Sequence, residues 1–525
     1  MMTGRLVQFI ISVAILIFQP AECSFKILVF SPAISKSHLI STGRIADELS
    51  RAGHDVTLLE VDFLGISDNV QSSKRTRKRV VRNFRNSANF SAVLNGFSQD
   101  VLSSPNIFDY MHGLYDYQMI CNQLCQEFLE RDEVFNELKR QNFDAFFSET
   151  IHICGFGYAH ALAIKRIFMV SSCPFIAPVY DYLGHPMPIS TVPFSAEMST
   201  TPTYWERANN LFRSAVMAIQ YRYTHHNLAM IYRNKFGSNF PAITDILRAV
   251  DIIFVSTDEI IDIPSLTFSN VVHIGGLGID EIADDSNDAI MRSEMSKGKN
   301  GVVLFSLGTV ANTTRLPEKV LRSFLHVTRK FPDYHFLIRA DKYDKKTRQH
   351  AEGLKNVFIS DWLPQPQILA HPNLTAFITH CGYNSVMESA RSGVPLIAIP
   401  LRFDQPLNGR AIEKKGWGIR VDKRHLLDES GEAIRRALGE ILTNPAYKRE
   451  AMRLRDLIRT KPMNSRKRFI ETTEWVLLNN GVKELYAESR SLDLITYYNL
   501  DVLFGFLMIP LVPIIVFMRT IRMLN

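Results

Sequence analysis

The sequence predicts an α/β protein made of two doubly wound, Rossmann-like domains that face each other across a cleft, and three observations point there. Short apolar strands alternate with helical segments in two successive series. A stretch of linker composition separates the series. At 525 residues, 46% hydrophobic and 22% charged, the chain is too long for a single core.

The first series opens at residues 26–30, Lys-Ile-Leu-Val-Phe, which read as a buried strand. A helix over 42–51 follows, stopped by Gly53, and then a strand over 56–60. Residues 143–148 and 251–256 read as further strands of this domain, which spans 24–278. Between them the periodicity weakens and Phe84, Phe90, Phe97, Phe108, Tyr110, Tyr115 and Tyr117 accumulate, either as core or as the wall of an apolar pocket. The linker, 279–300, carries Asp280, Glu281, Asp284, Asp285 and Asp288 and ends in a polar, glycine-containing run. The second domain, 301–490, contains strands at 302–306, 335–338, 357–359, 376–379 and 395–399. Ligands are expected at the carboxyl ends of both sets of strands and in the cleft between domains.

The formal charge of +7 is explained by one run, Lys74, Arg75, Arg77, Lys78, Arg79, Arg82 and Arg85. No aromatic residues interleave with it from 74 to 82, so it reads as a solvated loop or helix face and not as a nucleic-acid site. Arg5, an apolar stretch over 6–18 and Ala21-Glu22-Cys23 give residues 1–23 the form of a secretory signal, with a signal anchor as the competing reading. Residues 502–518 carry no charge, Tyr497 and Tyr498 precede them, and Arg519 and Arg522 follow. This predicts a transmembrane helix over 497–518 in contact with lipid, a lumenal body and a cytosolic tail at 519–525. A buried terminal helix is the alternative, weakened by Pro510 and Pro513. Asn89, Asn312 and Asn373 sit in glycosylation sequons. Six cysteines are too few for a disulfide framework, and Cys121 and Cys125, one helical turn apart, suit core packing as readily as chemistry.

The most informative segment runs from Phe377 through His380-Cys381-Gly382-Tyr383-Asn384-Ser385 to Glu388, and on to Asp404-Gln405. A strand delivers His380, a glycine permits a tight turn, and Asn384 or Ser385 can cap a helix whose free amides form an anion site. Glu388, on the same helix start, offers a carboxylate to paired hydroxyls. Upstream, Trp362 on a proline-stiffened loop with Gln365 is a suitable face for stacking a base. Each residue alone has an ordinary structural explanation; their order and spacing together do not.

The run from Trp362 to Gln405 resembles the signature of the UDP-glycosyltransferase superfamily, and the two chain ends resemble its animal microsomal branch, the UDP-glucuronosyltransferases. The resemblance implies the glycosyltransferase B fold, an N-terminal acceptor domain and a C-terminal UDP-sugar domain. It places Trp362 and Gln365 at the uridine, His380, Gly382, Asn384 and Ser385 around the diphosphate, Glu388 at the ribose, and Asp404 and Gln405 at the sugar. Ser306, Gly308 and Thr309 lie near the nucleotide on the same basis. No Asp-X-Asp triplet occurs, so no metal or other cofactor is expected, the UDP-sugar being a co-substrate, with helix amides and His380 neutralising the diphosphate. Cys381 fills a slot for small residues.

Transfer to a hydroxyl requires a base. His38 follows the first strand, just before a helix start that disfavours the imidazolium and so keeps the ring neutral. The family's base is oriented by a carboxylate after a later strand; Glu149 holds that position here, where aspartate is usual, and Asp144 is the fallback. The expected reaction is inverting transfer of glucuronosyl from UDP-glucuronate to a small lipophilic acceptor, in the endoplasmic reticulum. UDP-glucose as donor and a catalytically silent binding subunit are the rivals. Arg402 is a candidate partner for a glucuronate carboxylate or a solvent-facing arginine, and homo-oligomerisation stays open.

Overall fold

The computed structural model describes residues 24–524 except 100–101, 103–105, 176–178, 181–183, 185–188, 193–197, 265–266, 280–288, 309–312 and 510. The signal segment, the acidic centre of the linker, Thr309 and Asn312 therefore lie outside the described residues.

Two parallel sheets form the frame. The first holds β1 (Lys26–Pro32), β2 (Asp55–Val61), β3 (Arg77–Val81), β4 (Ala145–Glu149), β5 (Arg166–Ser171), β6 (Ile252–Val255) and β7 (Val271–His273), in the order β3-β2-β1-β4-β5-β6-β7. The second holds β8 (Val302–Ser306), β9 (His335–Arg339), β10 (Val357–Ser360), β11 (Leu374–Thr379), β12 (Leu396–Ala398) and β13 (Gly418–Arg420), in the order β10-β9-β8-β11-β12-β13. Central strands such as β4 and β8 are buried along their whole length, because helices cover both faces of a parallel sheet. That is why they read as unbroken apolar runs.

The basic run is a loop only at its two ends. Its middle is the edge strand β3, paired in register with β2. Its cations meet carboxylates: Arg77 with Asp55 at 2.7 Å, Lys78 with Glu60 at 3.0 Å and Arg79 with Glu137 at 3.1 Å. Charge along an edge protects it from pairing with another chain, which accounts for arginines in a strand.

After the second domain the chain returns to the first. The helix Ser465–Leu478 places Phe469, Val476 and Leu477 in one core with Ile27, Val29, Phe147 and Phe254. The Phe469 ring lies 4.8 Å from that of Phe254, and truncating it to alanine would cost on the order of 3–5 kcal/mol. The strap ties the two sheets together. Direct bonds add to it: the Asp258 amide donates to the Tyr383 hydroxyl at 2.7 Å, and Arg410 donates to the Thr200 carbonyl at 3.1 Å.

Cys125, for which core packing and chemistry were both open, is buried in the core and forms a disulfide with Cys154. The partners lie on Ile107–Leu129 and Cys154–Ala161, helices far apart in sequence whose approach no local pattern reveals. At the C-terminus, the single helix expected over 497–518 is instead described as Leu500–Met508 and Leu511–Leu524, and no helix among the described residues is long and apolar enough to cross a membrane. Pro510, which has no amide to donate and whose ring obstructs the preceding turn, stands in sequence between them.

Candidate functional site

Strand order reverses once in each sheet, between β1 and β4 and between β8 and β11. At such a point the loops leaving adjacent strands diverge and open a crevice at the carboxyl ends. The sequence-predicted residues collect at these two crevices.

At the first, Ser35 caps the helix Lys36–Arg51 by accepting from the His38 amide at 3.4 Å, which fixes His38 in the opening turn. Its Nδ1 lies 2.7 Å from Oε2 of Glu149, the last residue of β4. Glu149 is 1% exposed, and its other oxygen accepts from the Ser172 hydroxyl, which itself sits 2.9 Å from that of Ser41. With both oxygens held, the carboxylate has no freedom to turn from the ring. Asp144, the fallback, is engaged at the opposite end of the strand, accepting from the Lys26 amide at 2.8 Å. Ser172 escaped the sequence reading because it follows β5, a strand not recognised there.

The electrostatic pull on His38 runs against the one its helix start exerts. Burial disfavours the imidazolium, but the charge and hydrogen bond of Glu149, joined by the charge of Asp404 from the second domain, outweigh it and raise the histidine above its ordinary value. The charges of these two carboxylates oppose the helix amides at the Lys36 end.

At the second crevice, β11 delivers His380 and β8 delivers Ser306, whose hydroxyl accepts from the Gly308 amide at 3.3 Å. The His380 ring is wedged between glycines. A Cβ on Gly308 would meet its Cε1 at 2.3 Å, and one on Gly382 its Nε2 at 2.6 Å. Gly308 also has φ +70, a conformation that costs a side chain energy. Burial, reinforced by the Arg339 charge, pushes His380 down to about 4. Burial and Arg339 thus favour the neutral, hydrogen-bonding form of the ring.

The helix that follows, Tyr383–Ser392, is capped by Gly382 and not by Asn384 or Ser385, which stand inside its first turn. Its first amides keep no intrahelical acceptor. Cys381 is buried at φ +66 with its thiol pushed up by burial, which suits a structural role. Gln365, at the start of Gln365–Ala370, donates to Glu388 Oε2 at 2.7 Å and lies 3.1 Å from the Ser385 hydroxyl. Burial raises Glu388, while the Gln365 bond and the charge of Arg44 lower it. Trp362 is 67% exposed on the adjoining loop, a free face for a flat ring.

Asp404 begins the helix Gln405–Lys414 after β12, held by the Asn408 amide at 2.6 Å. Burial raises its carboxyl, and Asn408 and His38 oppose that. Gln405 spends its carbonyl oxygen on the amides of Leu401 and Arg402, at 2.8 and 3.0 Å, which leaves its amide group for a ligand. The Asp404 charge thus acts on His38 across the domain boundary. Of the two described sequons, Asn89 is exposed on Ser87–Gln99, whereas Asn373 donates its side-chain amide to the Met295 carbonyl at 3.0 Å. Among the described residues no cluster of three His, Cys, Asp or Glu side chains could hold a metal ion.

Residues 25–524 match the family model described as "UDP-glucoronosyl and UDP-glucosyl transferase". The chain is similar to the Caenorhabditis elegans protein named "Putative UDP-glucuronosyltransferase ugt-47", 56% identical over 94% of this chain and 92% of the relative. It is also similar to human UDP-glucuronosyltransferase 3A2, 26% identical over 88% of this chain and 86% of the relative. A solved glycotransferase of kitacinnamycin superposes with a TM-score of 0.56 at 16% identity, covering 86% of this chain and 99% of that one, a likeness of fold.

Proposed function

The chain belongs to the UDP-glucoronosyl and UDP-glucosyl transferase family and is a glycosyltransferase that uses a UDP-sugar; from that premise we propose that it transfers glucuronosyl from UDP-glucuronate to a hydroxyl of a small lipophilic acceptor, with inversion. The observation that carries this reading is the His38–Glu149 pair, bonded at 2.7 Å and set against Asp404 of the opposite domain. With Nδ1 committed to Glu149, Nε2 is the nitrogen left to take the acceptor proton. The deprotonating oxygen attacks the anomeric carbon from the face opposite UDP, the bond to the diphosphate oxygen breaks, and the proton remains on His38. Glu149 stabilises the imidazolium that forms.

In the same reading the donor lies in the second crevice. Trp362 stacks the uracil, Gln365 and Glu388 hold the ribose, and the amides from Gly382 onward receive the diphosphate beside His380 and Ser306. Asp404 and the Gln405 amide meet the sugar. No metal takes part in this account. Relatives named as UDP-glucuronosyltransferases favour glucuronate over glucose.

The body of the protein is proposed to face the lumen of the endoplasmic reticulum, anchored by its C-terminal helices. The Cys125–Cys154 disulfide supports an oxidising compartment. Exposed Leu503, Phe504, Phe506, Leu507 and Phe517 support lipid contact. Incubating purified protein with UDP-glucuronate or UDP-glucose and a panel of phenols and alcohols, with chelator present and products identified by mass, tests the reading. Glucuronides are expected; glucosides would reverse the donor assignment, and UDP binding without any product would identify a silent subunit.

A further inference from the structure

In the second domain the Arg339 guanidinium, whose charge reaches His380, is spent on the Gly308 carbonyl at 2.9 Å and on Asp341 at 2.7 Å, and the structure brings a further cation to the donor site proposed above from the first domain. A narrow cleft lies between the helix Lys36–Arg51 and the start of Tyr383–Ser392. Ser41, Arg44, Ser256, Gly276, Asn384 and Met387 contribute to its walls. Arg44 and Asn384 face each other there from opposite domains.

Arg44 is half-buried, and its guanidinium makes no hydrogen bond or ion pair among the described residues. Burial lowers its pKa, and the charge of Glu388 partly offsets that. A desolvated cation without a bonded partner is costly, and such a group is retained where a ligand supplies the counter-charge. Its position is fixed by the backbone beneath it: a Cβ at Gly278, where φ is +70, would lie 3.0 Å from Arg44 Cγ, so the aliphatic stem rests on a site open only to glycine. The guanidinium is thereby held next to Glu388, the proposed ribose ligand, and Asn384, in the first turn at the proposed diphosphate site.

We propose that Arg44 of the acceptor domain binds the phosphates of the UDP donor across the cleft, so that leaving-group charge is neutralised by the same helix that carries the base. This rests on the donor site proposed above. A planar guanidinium suits phosphate oxygens, and it engages only when both domains are in place.

The test is the affinity of wild type, Arg44→Met and Arg44→Lys for UDP and for uridine, by calorimetry and by competition. Arg44→Met should weaken UDP by about 10- to 100-fold, as expected for a charged hydrogen-bonded contact, and leave uridine unchanged. Arg44→Lys, which keeps the charge, should recover part of the loss and should fold as wild type does. Unchanged UDP affinity in Arg44→Met, or equal losses for UDP and uridine, would overturn the assignment and make Arg44 a partner of Glu388 alone. Wild type that fails to bind UDP would instead overturn the donor site itself.

Discussion

Removing the charge of Glu149 without changing its shape is the sharpest probe of the proposed mechanism. In Glu149→Gln the side chain stays in a pocket where it is 1% exposed and where Ser172 already fixes one oxygen. The change therefore falls on the 2.7 Å contact with His38 Nδ1. A hydrogen bond to a charged group is worth about 1.5–3 kcal/mol, so the transfer rate at saturating donor should drop by about 10- to 100-fold. His38→Ala removes the proposed base and should cost roughly 10²- to 10⁴-fold, with UDP affinity intact because His38 itself is not among the proposed nucleotide ligands. The double variant should be little worse than His38→Ala, since residues acting as a unit are not additive. The pH profile gives an independent sign. Burial depresses His38 while Glu149 and Asp404 raise it, and the neutral ring is the active form, so wild-type rate falls as pH drops through the raised value. Taking away Glu149's charge lets burial prevail, and the acidic limb should move to lower pH even as the plateau falls. Single-turnover rates from pH 5 to 9 measure both effects. Multiplicative losses in the double variant, or a limb that moves to higher pH, would refute the pairing.

Other substitutions address the second crevice and the topology. Trp362→Ala removes a stacking surface and Glu388→Ala a buried charged acceptor, so each should weaken UDP by on the order of 1–3 kcal/mol in calorimetry. Gly308→Ala forces the His380 ring aside and strains a positive φ, and donor kcat/KM should fall by about 10²-fold, as a displacement near 1 Å at a site can cause, with the far-ultraviolet circular dichroism unchanged. Asp404→Asn should raise the donor KM and also shift the acidic limb to lower pH, because Asp404 contributes to the raised value of His38. In sealed microsomes, added protease should remove only the tail after Met518; digestion of the main body without detergent would reverse the proposed orientation.

Much of this site was legible because local chemistry announced it. The buried parallel strands carry unbroken apolar runs, and the segment from Trp362 to Gln405 compresses the second crevice into fewer than fifty residues (about two strand-to-helix turns). The features that stayed hidden are those that depend on the approach of distant segments. Nothing near Cys125 in sequence indicates Cys154, and nothing in the strap at Ser465–Leu478 marks it as a cover for the first sheet. Strand β3 was obscured by its own arginines, whose partners Asp55, Glu60 and Glu137 lie on other elements. The pull of Asp404 on His38 stayed hidden for the same reason. A helix start is visible in sequence; a carboxylate arriving from a different domain is not.

The two crevices also differ in how they treat charge, and the difference follows from what each must do. At the first, buried carboxylates surround His38 and raise its affinity for a proton, which strengthens a base whose task is to receive one. At the second, burial and Arg339 lower the affinity of His380 for a proton, which in the proposed donor site favours a ring that offers hydrogen bonds over one that carries charge. A cation contributed from the acceptor domain, by contrast, acts on the diphosphate only while the domains are together. With the proposed base and the proposed cation six residues apart on one helix, at His38 and Arg44, activation of the nucleophile and stabilisation of the leaving group would depend on the same contact between domains.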